Sequence, residues 1–150
     1  MLDHRWIAAR IPHHGDMCLL DAVVDWSAAV ITCRASSHTD AANPLRAEGR
    51  LGAASGIEYA AQAMAVHGSL LAEASDPPRH GYLTSLRGVT LHVARLDDLP
   101  GELSVRAERL SSDGRHVLYR FVISHAGRCL VEGRAAVVLD AEAISQDARR

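Results

Sequence analysis

One apolar, alanine-rich segment constrains this chain more than any other. From position 56 it reads Gly-Ile-Glu-Tyr-Ala-Ala-Gln-Ala-Met-Ala-Val. Its side chains are apolar on nearly all sides of a helix, which is typical of a buried helix. A single helix can bury itself only if other elements surround it. The pattern therefore predicts one long central helix that the rest of the chain must cover.

Two polar side chains interrupt this helix. Glu58 and Gln62 are four residues apart, so they lie on one helix face, a turn from each other. A buried carboxylate is costly unless it is paired, protonated or used in a reaction, which makes Glu58 a functional candidate. The structural alternative is a capping box, with Ser55 as N-cap and the Glu58 carboxylate bonded to its amide. Gln62 is expected to be a positioning group rather than a catalyst.

Strand-like segments flank the helix on both sides. Before it, two segments form a predicted hairpin, residues 19–24 and 28–35. After it, the strand-like segments are residues 82–95, 102–110, 116–124 and 128–139. The helix is predicted to end near Ala74, before Pro77 and Pro78. This order predicts an α+β domain whose curved antiparallel sheet wraps around one long central helix.

Length, composition and charge indicate a single domain and do not favour nucleic acid or membranes as partners. A chain of 150 residues that is 48% hydrophobic fits one domain, predicted to span residues 1–150, with residues 141–150 as a frayed tail. The net charge of -2 and the pI near 6.5 give no reason to expect nucleic acid or an anionic membrane as a partner. No apolar run approaches the roughly 20 residues that span a membrane.

The cysteines and the N-terminus indicate a compartment. The three cysteines lie at positions 18, 33 and 129, without the short paired spacing of a zinc site. Free thiols in a reducing compartment are the simpler interpretation. The first residues lack the apolar core of a signal peptide. We therefore expect a cytoplasmic protein that carries no metal and no cofactor.

Three short motifs together resemble those of the hotdog-fold beta-hydroxyacyl-(acyl carrier protein) dehydratases. Residues 12–21, Pro-His-His-Gly-Asp-Met-Cys-Leu-Leu-Asp, resemble the family's Pro-His-x-x-Pro-x-Leu-Leu-x-Asp. Residues 43–45, Asn-Pro-Leu, resemble the Asn-Pro-Phe that opens the substrate loop. Residues 58–62, Glu-Tyr-Ala-Ala-Gln, match Glu-x-x-Ala-Gln at the start of the central helix. The order of elements agrees over roughly residues 10–140, which implies a hotdog fold.

The loop before the central helix differs from that of the best-known members of this family. In the best-known members, the loop before the helix carries a His that is the catalytic partner of the helix Glu. Residues 46–56 contain no His. The overall pattern is closer to the dehydratase-like proteins of aryl polyene biosynthesis clusters, and for that group we nominate the His of the early motif, here His13 or His14. The motif register favours His13, and His38 is a less favoured substitute.

The resemblance implies a 3-hydroxyacyl-thioester dehydratase. His13 would remove the C2 proton and Glu58 would protonate the departing hydroxyl, because imidazole titrates near neutral pH. A backbone amide near Gly56 would stabilise the negative charge on the thioester carbonyl. Gln62 and His14 complete the predicted substrate-binding residues. The substrate would be an acyl thioester on acyl carrier protein or CoA, and we expect a homodimer or a heterodimer with a related hotdog subunit.

Two alternative functions remain open. Acyl thioesterases of the same fold use a helix carboxylate, such as Glu58, to activate water and need no His. A non-catalytic subunit that completes another dehydratase as a heterodimer would explain the missing loop His. The product formed from a 3-hydroxyacyl thioester distinguishes these functions. A dehydratase gives an enoyl thioester, a thioesterase gives a free thiol, and a non-catalytic subunit gives no product.

Overall fold

A seven-stranded antiparallel sheet and one long helix make up most of the fold. The computed structural model describes residues 1–72 and 81–139. Its helices and strands are β1 (Leu2–Asp3), α1 (His4–Ala8), β2 (Ala22–Trp26), β3 (Val30–Ala35), α2 (Gly56–Leu71), β4 (Gly81–Leu91), β5 (Leu103–Ser112), β6 (His116–His125) and β7 (Arg128–Leu139). None of the helices in this part of the chain is long and apolar enough to cross a membrane.

The sheet covers the central helix as the sequence predicts. The strand order is β1-β2-β3-β5-β6-β7-β4, and every neighbouring pair is antiparallel. Helix α2 contacts the middle of this sheet, on β3, β5 and β6. Strand β4 follows α2 in the chain and forms one edge of the sheet, beside β7. The predicted α+β architecture is confirmed.

Small side chains let α2 lie close to the sheet. Ala60 and Ala63 have no exposed surface. Gly56 is also buried, and a Cβ built on it would lie 3.2 Å from Val131 Cγ2 and 3.4 Å from Ile123 Cγ1. Contacts of that length leave little room for a side chain. The alanine-rich composition is therefore what allows a close approach of helix and sheet.

The ends of α2 differ from the prediction. The helix ends at Leu71, and Ala72 has an extended backbone with φ -68° and ψ 136°. It thus stops before the predicted Ala74, which, like Pro77 and Pro78, lies outside the described residues. At the other end, Ser55 has helical angles and its side chain makes no capping hydrogen bond. A 3-10 turn, Ala53–Ser55, precedes the helix instead, so the capping box does not form.

The strand boundaries differ at several points as well. The first strand of the predicted hairpin starts at Ala22 rather than at position 19, and β4 ends at Leu91 rather than at position 95. Residues 2–8 form a short strand and one helical turn that the sequence pattern did not indicate. The predicted frayed tail, residues 141–150, lies outside the described part of the chain.

An aspartate fixes the loop that leads into α2. The Asp97 carboxylate accepts hydrogen bonds from the Arg95 guanidinium and, at 2.9 Å, from the Leu51 amide. Arg46 lies 3.9 Å from it. The bond from Arg95 and then that from Leu51 hold the pKa of Asp97 well below its usual range. The chain just before the helix is thereby tied to the segment that follows β4.

Gly133 provides a test of the packing between β4, β6 and β7. A Cβ at this position would lie 2.9 Å from Val89 Cγ2 and 3.1 Å from Phe121 Cζ. We expect Gly133→Ala to lower the free energy of unfolding by about 1–3 kcal/mol, measured by urea denaturation, because these neighbours must move. Gly68→Ala is the control, since Gly68 lies in α2 with nothing within 4 Å of the new Cβ.

The control variant should gain about 0.5–1 kcal/mol, because alanine is the better helix former. Wild-type stability in Gly133→Ala would contradict the packing described for these three strands.

Candidate active site

His13 and Glu58 lie side by side in a single chain. His13 Nε2 is 3.0 Å from Glu58 Oε1. Their side chains are 27% and 33% exposed, so both groups can be reached from outside. The two predicted catalytic residues are therefore neighbours within one protomer, with an imidazole nitrogen at ion-pair distance from a carboxylate oxygen.

Helix α2 positions Glu58 through its own next turn. Glu58 is the third residue of the helix, and its Oε1 also accepts a hydrogen bond from Gln62 Nε2 at 3.3 Å. The spacing of four residues makes this contact possible, as predicted. Glu58 Oε1 is thus held between the imidazole of His13 and the amide of Gln62.

Gln62 also holds the segment that follows His13. Its side chain is fully buried. Its Oε1 accepts from the Leu19 amide at 2.9 Å, and its Nε2 donates to the Met17 carbonyl at 2.7 Å. A side-chain amide can donate and accept at the same time, and here both ends are used. Gln62 is therefore a positioning residue that fastens residues 17–19 to the helix that carries Glu58.

A tight turn connects His13 to this fastened segment. Gly15 has φ of 58°, in the left-handed region that favours glycine. The Met17 amide donates to the His14 carbonyl at 3.1 Å, and the Cys18 amide donates to the Gly15 carbonyl at 3.1 Å. These bonds define the turn that joins His13 to Met17, and the bond from Gln62 to the Met17 carbonyl places the end of that turn beside α2.

His14 and Gly56 are the remaining predicted site residues. His14 is exposed, and it precedes the Gly15–Met17 turn without a side-chain capping bond. Gly56 is buried against the sheet, and its N–H donates to the carbonyls of Ala53 and Ala54. Substrate contacts by His14 and Gly56 remain predictions.

Two buried histidines, one of them the less favoured candidate His38, form hydrogen bonds with other parts of the chain. His38 is fully buried and its Nε2 hydrogen bonds to the Leu99 carbonyl at 2.9 Å, so it is not placed as a substitute for His13. His67 is buried between the Tyr119 hydroxyl and the Ser27 carbonyl, at 2.7 and 2.8 Å. Burial lowers the pKa of both imidazoles, which favours their neutral forms. These two histidines are structural.

Sequence reasoning missed the network that anchors the loop before α2. The Tyr59 hydroxyl lies 2.8 Å from Ser37 Oγ and accepts from Asn43 Nδ2 at 3.1 Å. Asn43 also donates to the Ser37 carbonyl and accepts from the Leu45 amide, both at 2.9 Å. Burial raises the pKa of Tyr59, so its hydroxyl keeps its proton. The available signal was Asn43-Pro44, which was related at the sequence level only to the motif that opens the substrate loop.

Comparison with known proteins gives a family and several structural neighbours. The family model for ApeP-like proteins, described as ApeP dehydratase, matches residues 6–146. The chain is similar to a chain of the dehydratase heterocomplex ApeI:P from Xenorhabdus doucetiae, with 23% identity and a TM-score of 0.82, over 96% of this chain and 97% of that one. No curated protein sequence matches significantly.

Thioesterases are also among the similar structures. A Staphylococcus aureus thioesterase has a TM-score of 0.59 and 10% identity, over 79% of this chain and 92% of that one. A mutant of the fluoroacetyl-CoA-specific thioesterase FlK has a TM-score of 0.60 and 17% identity, over 83% of this chain and 97% of that one. These similarities, with that to the heterocomplex chain, confirm the predicted hotdog fold.

Proposed function

Because this chain belongs to the ApeP-like dehydratase family, we propose that it removes water from 3-hydroxyacyl thioesters with His13 and Glu58 as its acid–base pair. The family match confirms the predicted dehydratase, a hydro-lyase. The catalytic roles of His13 and Glu58 and the acyl thioester substrate are what we propose beyond the family. The observation that carries it is the 3.0 Å contact between His13 Nε2 and Glu58 Oε1.

The pair suits an elimination across two adjacent carbons. The neutral imidazole of His13 takes the proton from C2, the C2–H electron pair becomes the new double bond, and the C3–O bond breaks. The protonated carboxyl of Glu58 gives its proton to the departing hydroxyl, which leaves as water. Two groups a hydrogen-bond length apart can reach substituents on neighbouring carbons of one substrate.

The same contact resets the site after each turnover. Elimination leaves the proton from C2 on His13 and a carboxylate at Glu58. Transfer of that proton from His13 Nε2 to Glu58 Oε1, across 3.0 Å, restores the starting state. The contact of Gln62 with Glu58 Oε1 keeps the carboxyl facing the imidazole while the proton moves.

The N-terminus of α2 is proposed to stabilise the negative charge that develops on the thioester carbonyl. Negative charge develops on the thioester carbonyl when the C2 proton leaves, and a helix N-terminus favours negative charge. Gly56 is the first residue of this 16-residue helix. Its own N–H is bonded to the Ala53 and Ala54 carbonyls, so the proposed stabilisation comes from the helix N-terminus as a whole rather than from this amide. Acyl carrier protein or CoA as the acyl carrier, His14 as a further substrate contact, and a cytoplasmic location remain predictions.

The central test follows the product by mass spectrometry. The full chain, alone and with a co-expressed hotdog subunit, is incubated with a 3-hydroxyacyl thioester of acyl carrier protein. We expect loss of one water with the thioester intact. His13→Ala and Glu58→Gln should each lower turnover by about 10²–10⁴-fold, because each removes one half of the acid–base pair. His116→Ala, a change in an exposed histidine at the start of β6, is the control and should keep the wild-type rate.

The double variant sharpens this test. Residues that act as a unit lose little more when both are removed, so His13→Ala with Glu58→Gln should be about as slow as either single variant. A wild-type rate in either single variant contradicts the role of the pair. A released free thiol would assign a thioesterase instead. Turnover only by the co-expressed pair, at a rate that His13→Ala and Glu58→Gln leave unchanged, would assign a non-catalytic subunit.

A second hotdog subunit is proposed to pair with β4. This strand is at the end of the sheet, so one of its edges has no neighbouring strand among the described residues. It also exposes large apolar side chains, with Tyr82, Leu83, Leu86 and Leu91 between 39% and 47% exposed. An open edge with apolar side chains favours strand addition by another chain. The similar chain from Xenorhabdus doucetiae is part of a heterocomplex.

Charged substitutions on β4 test this surface. We expect Leu83→Lys combined with Leu86→Lys to abolish dimer formation, seen by sedimentation velocity, because two ammonium groups would have to be desolvated at the contact. Leu110→Lys is the matched control, since Leu110 on β5 is 44% exposed. A variant that still dimerises like the wild type would place the partner on another surface.

A further inference from the structure

Three side chains with metal-binding atoms meet at a site far along the sequence from His13. They are His92, Cys129 and Glu132, and their donor atoms all lie within 4.8 Å of one another. Glu132 Oε2 is 2.9 Å from His92 Nε2 and 3.1 Å from Cys129 Sγ. His92 and Glu132 are 40% and 35% exposed, so an ion from solvent can reach the cluster.

A bulge in β7 brings two of the three onto one face of the sheet. Cys129 and Glu132 are three residues apart, and a regular strand would direct them to opposite faces. Cys129 pairs with Ser124 and Glu132 pairs with Val122, so two steps along β6 correspond to three steps along β7. Ser124 and Val122 share a face, and therefore their partners do too. Leu130 is the extra residue of the bulge.

The backbone of the third residue, His92, is bonded to the same bulge in β7. The His92 amide donates to the Leu130 carbonyl at 2.8 Å. Thr90, two residues earlier, pairs directly with Glu132. His92 therefore lies beside Glu132, where the chain leaves β4. Backbone hydrogen bonds of two strands hold the main chain of all three residues. This limits the conformational entropy that the protein would lose on binding an ion.

We propose that His92, Cys129 and Glu132 form a Zn²⁺ site. A donor set of imidazole nitrogen, thiolate sulfur and carboxylate oxygen suits zinc, whereas Mg²⁺ and Ca²⁺ prefer oxygen ligands alone. Tetrahedral zinc with its usual bond lengths separates neighbouring donors by about 3.4 Å. The separations of 2.9 and 3.1 Å from Glu132 Oε2 need a small opening of the side chains, and His92 Nε2 and Cys129 Sγ, which lie within 4.8 Å of each other, must settle at the same spacing. Binding releases the thiol proton to solvent, and water fills the fourth position.

Such an ion would fasten the end of β4 to β7. His92 follows the last residue of β4, and the other two ligands belong to β7. The spacing of cysteines gave no sign of this site, because its ligands are one cysteine, one histidine and one carboxylate from two separate elements. Their proximity depends on the bulge, which a sequence pattern does not indicate.

Cobalt binding tests the site directly. The full chain, without an affinity tag, is titrated with Co²⁺, whose bond to a thiolate gives a charge-transfer band in the near ultraviolet. We expect saturation at one equivalent, displacement by Zn²⁺, and loss of the band in Cys129→Ser. His92→Ala and Glu132→Gln should weaken the affinity by about tenfold or more, since each removes one ligand. His116→Ala should bind as the wild type does.

Folding of the variants is followed in parallel. Zn²⁺ should raise the thermal midpoint of the wild type but not that of Cys129→Ser, because a ligand of the native state stabilises it. Without metal, both proteins should unfold at similar temperatures. The absence of a charge-transfer band in the wild type, or a band that persists in Cys129→Ser, would overturn the proposal.

Discussion

The two hydrogen bonds from the buried Gln62 amide to the Met17 carbonyl and the Leu19 amide are the interactions on which the site depends. They join the connection before β2 directly to α2, and the bond from Ser37 Oγ to the Leu19 carbonyl at 2.8 Å supports the same segment. An unpaired buried amide or carbonyl costs about 1–3 kcal/mol, so this arrangement is strongly preferred over a displaced one. The same side chain contacts Glu58. One residue thus orients the carboxyl directly and the imidazole of His13 through the chain.

The small residues of α2 make this arrangement possible. Ala60 and Ala63 are completely buried, and Gly56 leaves no room for a larger side chain. The helix therefore lies deep against the sheet, while the Glu58 side chain remains about one-third exposed. Tyr59 fastens the preceding loop from the same helix through Ser37 and Asn43. A single helix thus contributes to the core, carries Glu58 of the candidate site, and holds both the segment after His13 and the loop that contains Asn43.

Much of the fold and part of the candidate site could be predicted from the sequence, because they follow from local patterns. The features that depend on tertiary contacts could not. The apolar helix, the strand alternation and the spacing of Glu58 and Gln62 are local patterns, and they identified the fold. The early motif identified His13 as the candidate partner. Local patterns could not show that Leu19 bonds to Gln62 rather than joining a strand, that a 3-10 turn replaces the cap at Ser55, or that a bulge turns Cys129 toward Glu132, because each depends on tertiary contacts.

The most direct test of this account is an imidazole ¹H–¹⁵N NMR spectrum of the full chain at fixed pH, recorded for the wild type, Glu58→Gln and Gln62→Ala. If the helix brings the pair together, the His13 ring signals must change when either helix residue is replaced. The signals of His67, which bonds to Tyr119, should stay where they are. His13 signals that are the same in all three proteins would contradict the account, because the imidazole would then be free of Glu58 in solution.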